Sequence, residues 1–240
     1  MRIIQCRSTS EAVETVTSIL IEKIENLPRA VIGLATGKTM EPLYAKLSEF
    51  SRQSAISLDK CFFFMLDEYL GLPENHPTSF KSYIKNHLLH PLDLKESQFA
   101  FPPVGSSRGP DQYEDLLKKS GGIDIQLLGI GRNGHVGFNE PGSERFSRTR
   151  VVKLTAETIE ANRDQFSDII PSEAISMGIG TILDSKNLLM LATGKSKADS
   201  IKYLLNHHDD PGCPATFLKN HPHFTLVLDP DAASKINLNI

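Results

Sequence analysis

Chemistry-bearing residues gather in Gly129-Ile130-Gly131-Arg132-Asn133-Gly134-His135-Val136-Gly137-Phe138-Asn139-Glu140-Pro141-Gly142. An imidazole changes charge near neutral pH, and a carboxylate that reaches it decides which ring nitrogen holds the proton. His135 and Glu140 are close enough in sequence, with glycines between them, to fold back onto one small volume. Asn133 exchanges no proton but orients what lies beside it. A second group, Asp67 with Glu68, closes the apolar run Cys61-Phe62-Phe63-Phe64-Met65-Leu66. An isolated aspartate most often caps a helix or sits in a turn. One set against an apolar wall instead holds its proton more tightly and becomes a base suited to neutral pH. The third group is basic: Gly37-Lys38-Thr39 and Thr193-Gly194-Lys195-Ser196-Lys197 each sit between an apolar run and a helical pattern. Turn amides and a helix N-terminus favour an anion there.

The elements that must position these groups alternate regularly. Apolar runs predict strands over 2–5, 30–35, 61–66, 123–130, 188–192 and 224–228, with a short one over 151–154. Apolar residues spaced by three and four, starting at Val13 and Val16, predict a helix capped by Ser8 with Glu11 as a capping box. Further helices are expected over 41–50, 79–89, 111–119 and up to about 205. The segment 156–166 has a polar helical pattern, and 172–183 is ambiguous because Gly178 and Gly180 interrupt it. Strands alternating with helices imply an α/β, doubly wound, mainly parallel, Rossmann-like sheet with helices on both faces, in a single domain spanning 1–240. Ligands of such sheets bind beyond the carboxyl ends of the strands where the strand order reverses. All three groups follow strands, so they should meet on that edge. The polar stretch around 150–180 beside them is expected to be a lid.

Two other readings fail on spacing. A P-loop needs a glycine five residues before its Gly-Lys pair, and Ile32 and Leu189 occupy those positions. His207-His208-Asp209-Asp210, with Cys213, His221 and His223, matches no standard metal-ligand spacing. Composition is ordinary: 240 residues, 40% hydrophobic, 23% charged and a net charge of −3, which gives no signature for nucleic acid. No apolar run approaches a membrane span, and the N-terminus has no signal-peptide core. Three widely spaced cysteines suit reduced thiols, and a cytoplasmic location is expected.

With these residues in view, the chain resembles the glucosamine-6-phosphate deaminase/isomerase family. The resemblance rests on Leu34-Ala35-Thr36-Gly37, on Leu66-Asp67-Glu68-Tyr69-Leu70-Gly71-Leu72, on the whole 129–142 segment, on Ser147-Arg148-Thr149, and on the Ala161-Asn162 and Ser176-Met177-Gly178 regions. It implies isomerisation of glucosamine 6-phosphate to a ketose with loss of ammonia, giving fructose 6-phosphate without metal or organic cofactor. It assigns His135 and Glu140 to ring opening, Asp67 to proton transfer at C2, Asn133 to orientation, and Gly37, Lys38, Thr39 and Lys197 to the phosphate. The family's phosphate-binding arginine aligns with Asp164. Its neighbour Arg163 is the candidate for that phosphate role, one residue of offset turning a helical side chain by about 100°. Compared with longer hexameric members, a monomer or small homo-oligomer is expected. Leu88-Leu89-His90-Pro91-Leu92-Asp93-Leu94, nested in the wider similarity, also resembles members acting on galactosamine 6-phosphate, the C4 epimer. More remote alternatives are a 6-phosphogluconolactonase, which typically has Ser-Leu-Phe-Pro where this chain has Phe138-Asn139-Glu140-Pro141, and a non-catalytic sugar-phosphate sensor.

Overall fold

The computed structural model describes residues 1–53, 56–73, 75–106, 108–155, 158–160, 166 and 169–236. Among them the strands are β1 (Arg2–Gln5), β2 (Val31–Leu34), β3 (Phe62–Met65), β4 (Asp67–Tyr69), β5 (Phe99–Ala100), β6 (Ile125–Leu128), β7 (Arg150–Lys153), β8 (Glu173–Ser176), β9 (Leu188–Ala192) and β10 (Phe224–Leu228). Seven form one parallel sheet in the order β1-β10-β9-β6-β2-β3-β5. β2, β6 and β9 are buried along their whole length, as apolar runs covered on both faces must be.

The longer helices are α1 (Thr9–Asn26), α2 (Glu41–Arg52), α3 (Phe80–Ile84), α4 (Gly109–Lys119), α5 (Ile179–Leu183) and α6 (Ala198–Asn206). From β1 the chain crosses to β2 and steps outward through β3 to β5; it then returns to β6 and steps the other way through β9 to β10. Right-handed crossovers taken in opposite directions put the helices on opposite faces. The reversal falls between β2 and β6, so a crevice opens beyond their carboxyl ends. Ser8 caps α1 by accepting from the Glu11 N–H, but Glu11 turns to the Arg7 N–H at 2.7 Å, so the expected capping box is only half formed. The expected 79–89 helix is α3 followed by a π turn over Lys85–Leu89.

β4, β8 and β7 make a small antiparallel sheet, of which strand patterning predicted only β7, as the short strand over 151–154. Asp67 pairs with Ser176, Glu68 with Ile175 and Tyr69 with Ala174. Alternation along β4 therefore sends Asp67 and Tyr69 to one face and Glu68 to the other. A second, smaller core of Tyr69, Phe138 and Ala174, flanked by Phe80 and Phe166, joins this sheet to the glycine-rich loop.

Candidate active site

The glycine-rich loop leaves β6 and folds back on itself within a few residues. Gly131 donates its N–H to the His135 carbonyl at 2.9 Å, and Val136 and Asn139 form an isolated antiparallel bridge. The imidazole lies over Gly131, where an added Cβ would stand 2.3 Å from Cε1, so only glycine leaves room for the ring. Gly137 has φ +58°, and its missing side chain leaves space for Asp67, whose Oδ2 would be 3.2 Å from a Cβ there. Asn139 is fully buried. Its amide donates to the Val136 and Met177 carbonyls at 2.8 Å each and accepts from Arg150, pinning the loop to the end of β8.

His135 Nδ1 stands 3.3 Å from Glu140 Oε1. That is ion-pair reach, but Nδ1 makes no aligned hydrogen bond; catalytic contacts are often this loose until substrate tightens them. Glu140 also accepts from Asn133 Nδ2 at 2.8 Å and from Thr158 Oγ1 at 2.5 Å. Burial pushes its carboxyl upward, but His135, Thr158 and Asn133 together outweigh that and hold it at about 2. Asn133 has a second bond, accepting the His135 N–H on Oδ1 at 3.2 Å, which fixes the direction of its amide. The ring can thus be held by Glu140 through Nδ1 while Nε2 remains for a substrate.

Asp67 and Glu68 differ sharply despite being neighbours. Glu68 accepts the Tyr69 and Phe80 N–H groups on one oxygen and the Lys81 N–H on the other, closing the N-terminus of α3. It is a structural carboxylate. Asp67 is 5% exposed and faces the crevice, and its carboxylate accepts no hydrogen bond from a described residue. Burial, with Glu68's charge added, raises its carboxyl to about 8.

The crevice measures about 610 Å³ and brings together residues following four neighbouring strands: Thr193 and Lys197 after β9, Asn133 and His135 after β6, Gly37, Lys38 and Thr39 after β2, and Asp67 after β3. Gly37 has φ +102°, and its carbonyl is held by the Met40 N–H at 2.8 Å and the Tyr83 hydroxyl at 2.9 Å. The second turn is secured by buried Asp229, which accepts from the Gly194 N–H. Lys197 is lowered by burial and then by the charge of Arg132, which also lines the crevice. Arg163 lies outside the described residues, as do its neighbours in 161–165. Thr158 and Arg132 were not singled out by sequence reading. Thr158 gave no signal, being one polar residue in a polar segment, whereas Arg132 stood openly inside the motif.

The stretch considered for metal braces the loop from behind. Cys213 packs beneath Gly134, the Ala215 N–H donates to the Gly134 carbonyl at 3.0 Å, and the Gly142 N–H donates to Pro211 at 2.8 Å. His221 Nε2 meets the Ser185 carbonyl at 2.8 Å.

Fold and site together describe an α/β enzyme with a basic cradle beside an acid–base pair at the switch point of its sheet. The chain belongs to the glucosamine-6-phosphate isomerase/6-phosphogluconolactonase family, whose pattern it matches over residues 7–227. It is similar to the glucosamine-6-phosphate deaminase of Shewanella loihica, at 43% identity over 98% of this chain and 90% of that one. It is likewise 39% identical to the enzyme of the same name from Halalkalibacterium halodurans, over 98% of each chain. A monomeric glucosamine-6-phosphate deaminase of known structure superposes with a TM-score of 0.95 at 38% identity, covering 98% of this chain and 100% of that chain. The 6-phosphogluconolactonase of Trypanosoma cruzi, at 23% identity and a TM-score of 0.79, shares the fold. No helix among the described residues is long and apolar enough to cross a membrane.

Proposed function

We infer that this protein is an aldose-ketose isomerase and deaminase that converts glucosamine 6-phosphate to fructose 6-phosphate and ammonia. The observation that carries the reading is the pairing, in one crevice, of a carboxyl raised to about 8 with an imidazole held by a carboxylate at about 2. Opposite shifts of this kind separate base from acid roles. The full-length similarity to deaminases supports the substrate.

The chemistry follows from the positions. His135, oriented by Glu140 and Asn133, moves the C1 hydroxyl proton to the ring oxygen and opens the pyranose. Asp67 then takes the proton from C2 of the amino aldehyde, leaving an enolamine. Protonation at C1 gives the C2 iminium, to which water adds, and ammonia leaves as the ketone forms. The amides of Gly37, Lys38 and Thr39 and the Lys197 ammonium receive the 6-phosphate, with Arg163 as a further cation. No step calls for a metal or organic cofactor. We assign the 150–180 segment the part of a lid, since Thr158 reaches Glu140 from it. A monomer or small homo-oligomer working in the cytoplasm fits this reading, a monomeric deaminase being among the similar structures.

Ammonia release from glucosamine 6-phosphate and galactosamine 6-phosphate, measured side by side with a known deaminase as control, tests the reading. Faster turnover of the glucosamine epimer is expected. Faster turnover of the galactosamine epimer would reassign the substrate, and silence with both would refute the deaminase reading.

A further inference from the structure

One cation at the basic end of the crevice has no task in the mechanism above. Lys197 follows β9, Arg132 follows β6 and Lys38 follows β2, and these strands are neighbours in that order. Parallel strands run about 4.8 Å apart, so Arg132 stands in the middle of a basic row. Asp67 follows β3, the next strand along, and marks the other end of the crevice. Arg145 and Arg148, further along the chain, hold the carboxylates of Asp209, Glu114 and Asp184. Arg132 joins no ion pair among the described residues, and neither does Lys38 or Lys197. The charge of Arg132 is felt at Lys197, where it opposes protonation together with burial. Two cations that repel each other across a crevice are relieved by an anion placed between them.

Resting on the sugar-phosphate reading, we propose that Arg132 is a phosphate-binding residue that grips the substrate's 6-phosphate jointly with Lys197. A guanidinium presents a planar fork matched to two phosphate oxygens, where an ammonium offers only a point charge. Arg132 also lies between Gly131, over which the imidazole packs, and Asn133, which bonds to Glu140. Phosphate held at Arg132 therefore fastens the same few residues that carry the ring-opening pair.

The test uses the full chain with Arg132→Met, Arg132→Lys and, as reference, Lys197→Met, each checked for native circular dichroism. Ammonia release gives KM and kcat, and calorimetric titration with inorganic phosphate reads the anion site without chemistry. Arg132→Met is expected to raise KM about 10- to 100-fold and to weaken phosphate by a comparable factor, the scale of one lost charge-assisted contact. Its kcat should fall much less, and Arg132→Lys should recover part of the affinity. Unchanged KM and phosphate affinity in Arg132→Met would overturn the proposal. A fall in kcat alone would overturn it too, by making Arg132 a support of the loop. If the wild type releases no ammonia, the deaminase reading fails, while the phosphate titration still decides the role of Arg132.

Discussion

The floor of the crevice and its rim treat a buried carboxylate in opposite ways. On the floor, Asp67 stands in a short strand with no donor from a described residue, and burial raises it to about 8. On the rim, Glu140 collects an amide, a hydroxyl and an imidazole, which hold it at about 2 against its own burial. Both are acidic side chains at the carboxyl edge of one sheet. What separates them is the supply of donors, which leaves one carboxyl holding its proton tightly and keeps the other an anion.

The comparison breaks most visibly at Asp67. Asp67→Asn should lower kcat by about 10²- to 10⁴-fold while inorganic phosphate still protects the protein against heat. The sign of its stability effect is equally specific. Because the folded carboxyl is raised above its unfolded value of about 3.9, its favourable contribution is complete below that pH and is lost as pH rises through about 8. The variant should therefore melt higher than wild type at alkaline pH, with the gain vanishing in acid. A gain that grew in acid would reverse the assignment. In kcat/KM, the wild type should show an acidic limb governed by this group that Asp67→Asn lacks.

Glu140→Gln comes next. With the anion gone, His135 keeps its place over Gly131 but loses the carboxylate that orients its ring, so activity should fall by about 10- to 100-fold. Here the folded value lies below the unfolded one of about 4.3, so the stabilisation is present above that pH and fades as pH falls toward 2. Wild type should lose stability over that window more steeply than the variant. Parallel acid unfolding curves would show that Glu140 gains nothing from its neighbours. Thr158→Val removes one of the three donors and should cost roughly tenfold in kcat/KM, as expected for a lost bond to a charged group. The smallest effect belongs to Tyr83→Phe, which leaves the Gly37 carbonyl held by the Met40 N–H alone. KM should rise about two- to fivefold through a looser phosphate turn, with the acid limb of the profile unmoved.

Much of this arrangement is legible in the chain. Apolar runs at 30–35, 61–66, 123–130 and 188–192 mark the central strands, and the groups that follow them do share one crevice. Their common edge is legible, although the order of elements does not fix where the sheet reverses, between β2 and β6. The small sheet is not, because β4 is three residues long, two of them acidic, and its partner β8 lies more than a hundred residues away. Nothing local distinguishes Asp67 from Glu68. Their separate fates come from strand alternation and from the arrival of the α3 N-terminus over Glu68, both tertiary events. Thr158 was invisible for the same reason, since its meaning depends on where Glu140 ends up. Arg163 and the helix expected around it fall partly in 156–157 and 161–165, outside the described residues.

Ser176 gives the small sheet a meaning beyond scaffolding. It is the cross-strand partner of Asp67 in β4 and of Arg150 in β7, and its hydroxyl accepts the Phe138 N–H at 3.2 Å. The strand carrying Asp67, the glycine-rich loop and β7 are thus joined at one serine. If β8 parts from β4, water reaches Asp67 and its carboxyl returns to ordinary acidity. The high value of this carboxyl is thus a property of the joint between β4 and β8 and not of the residue alone.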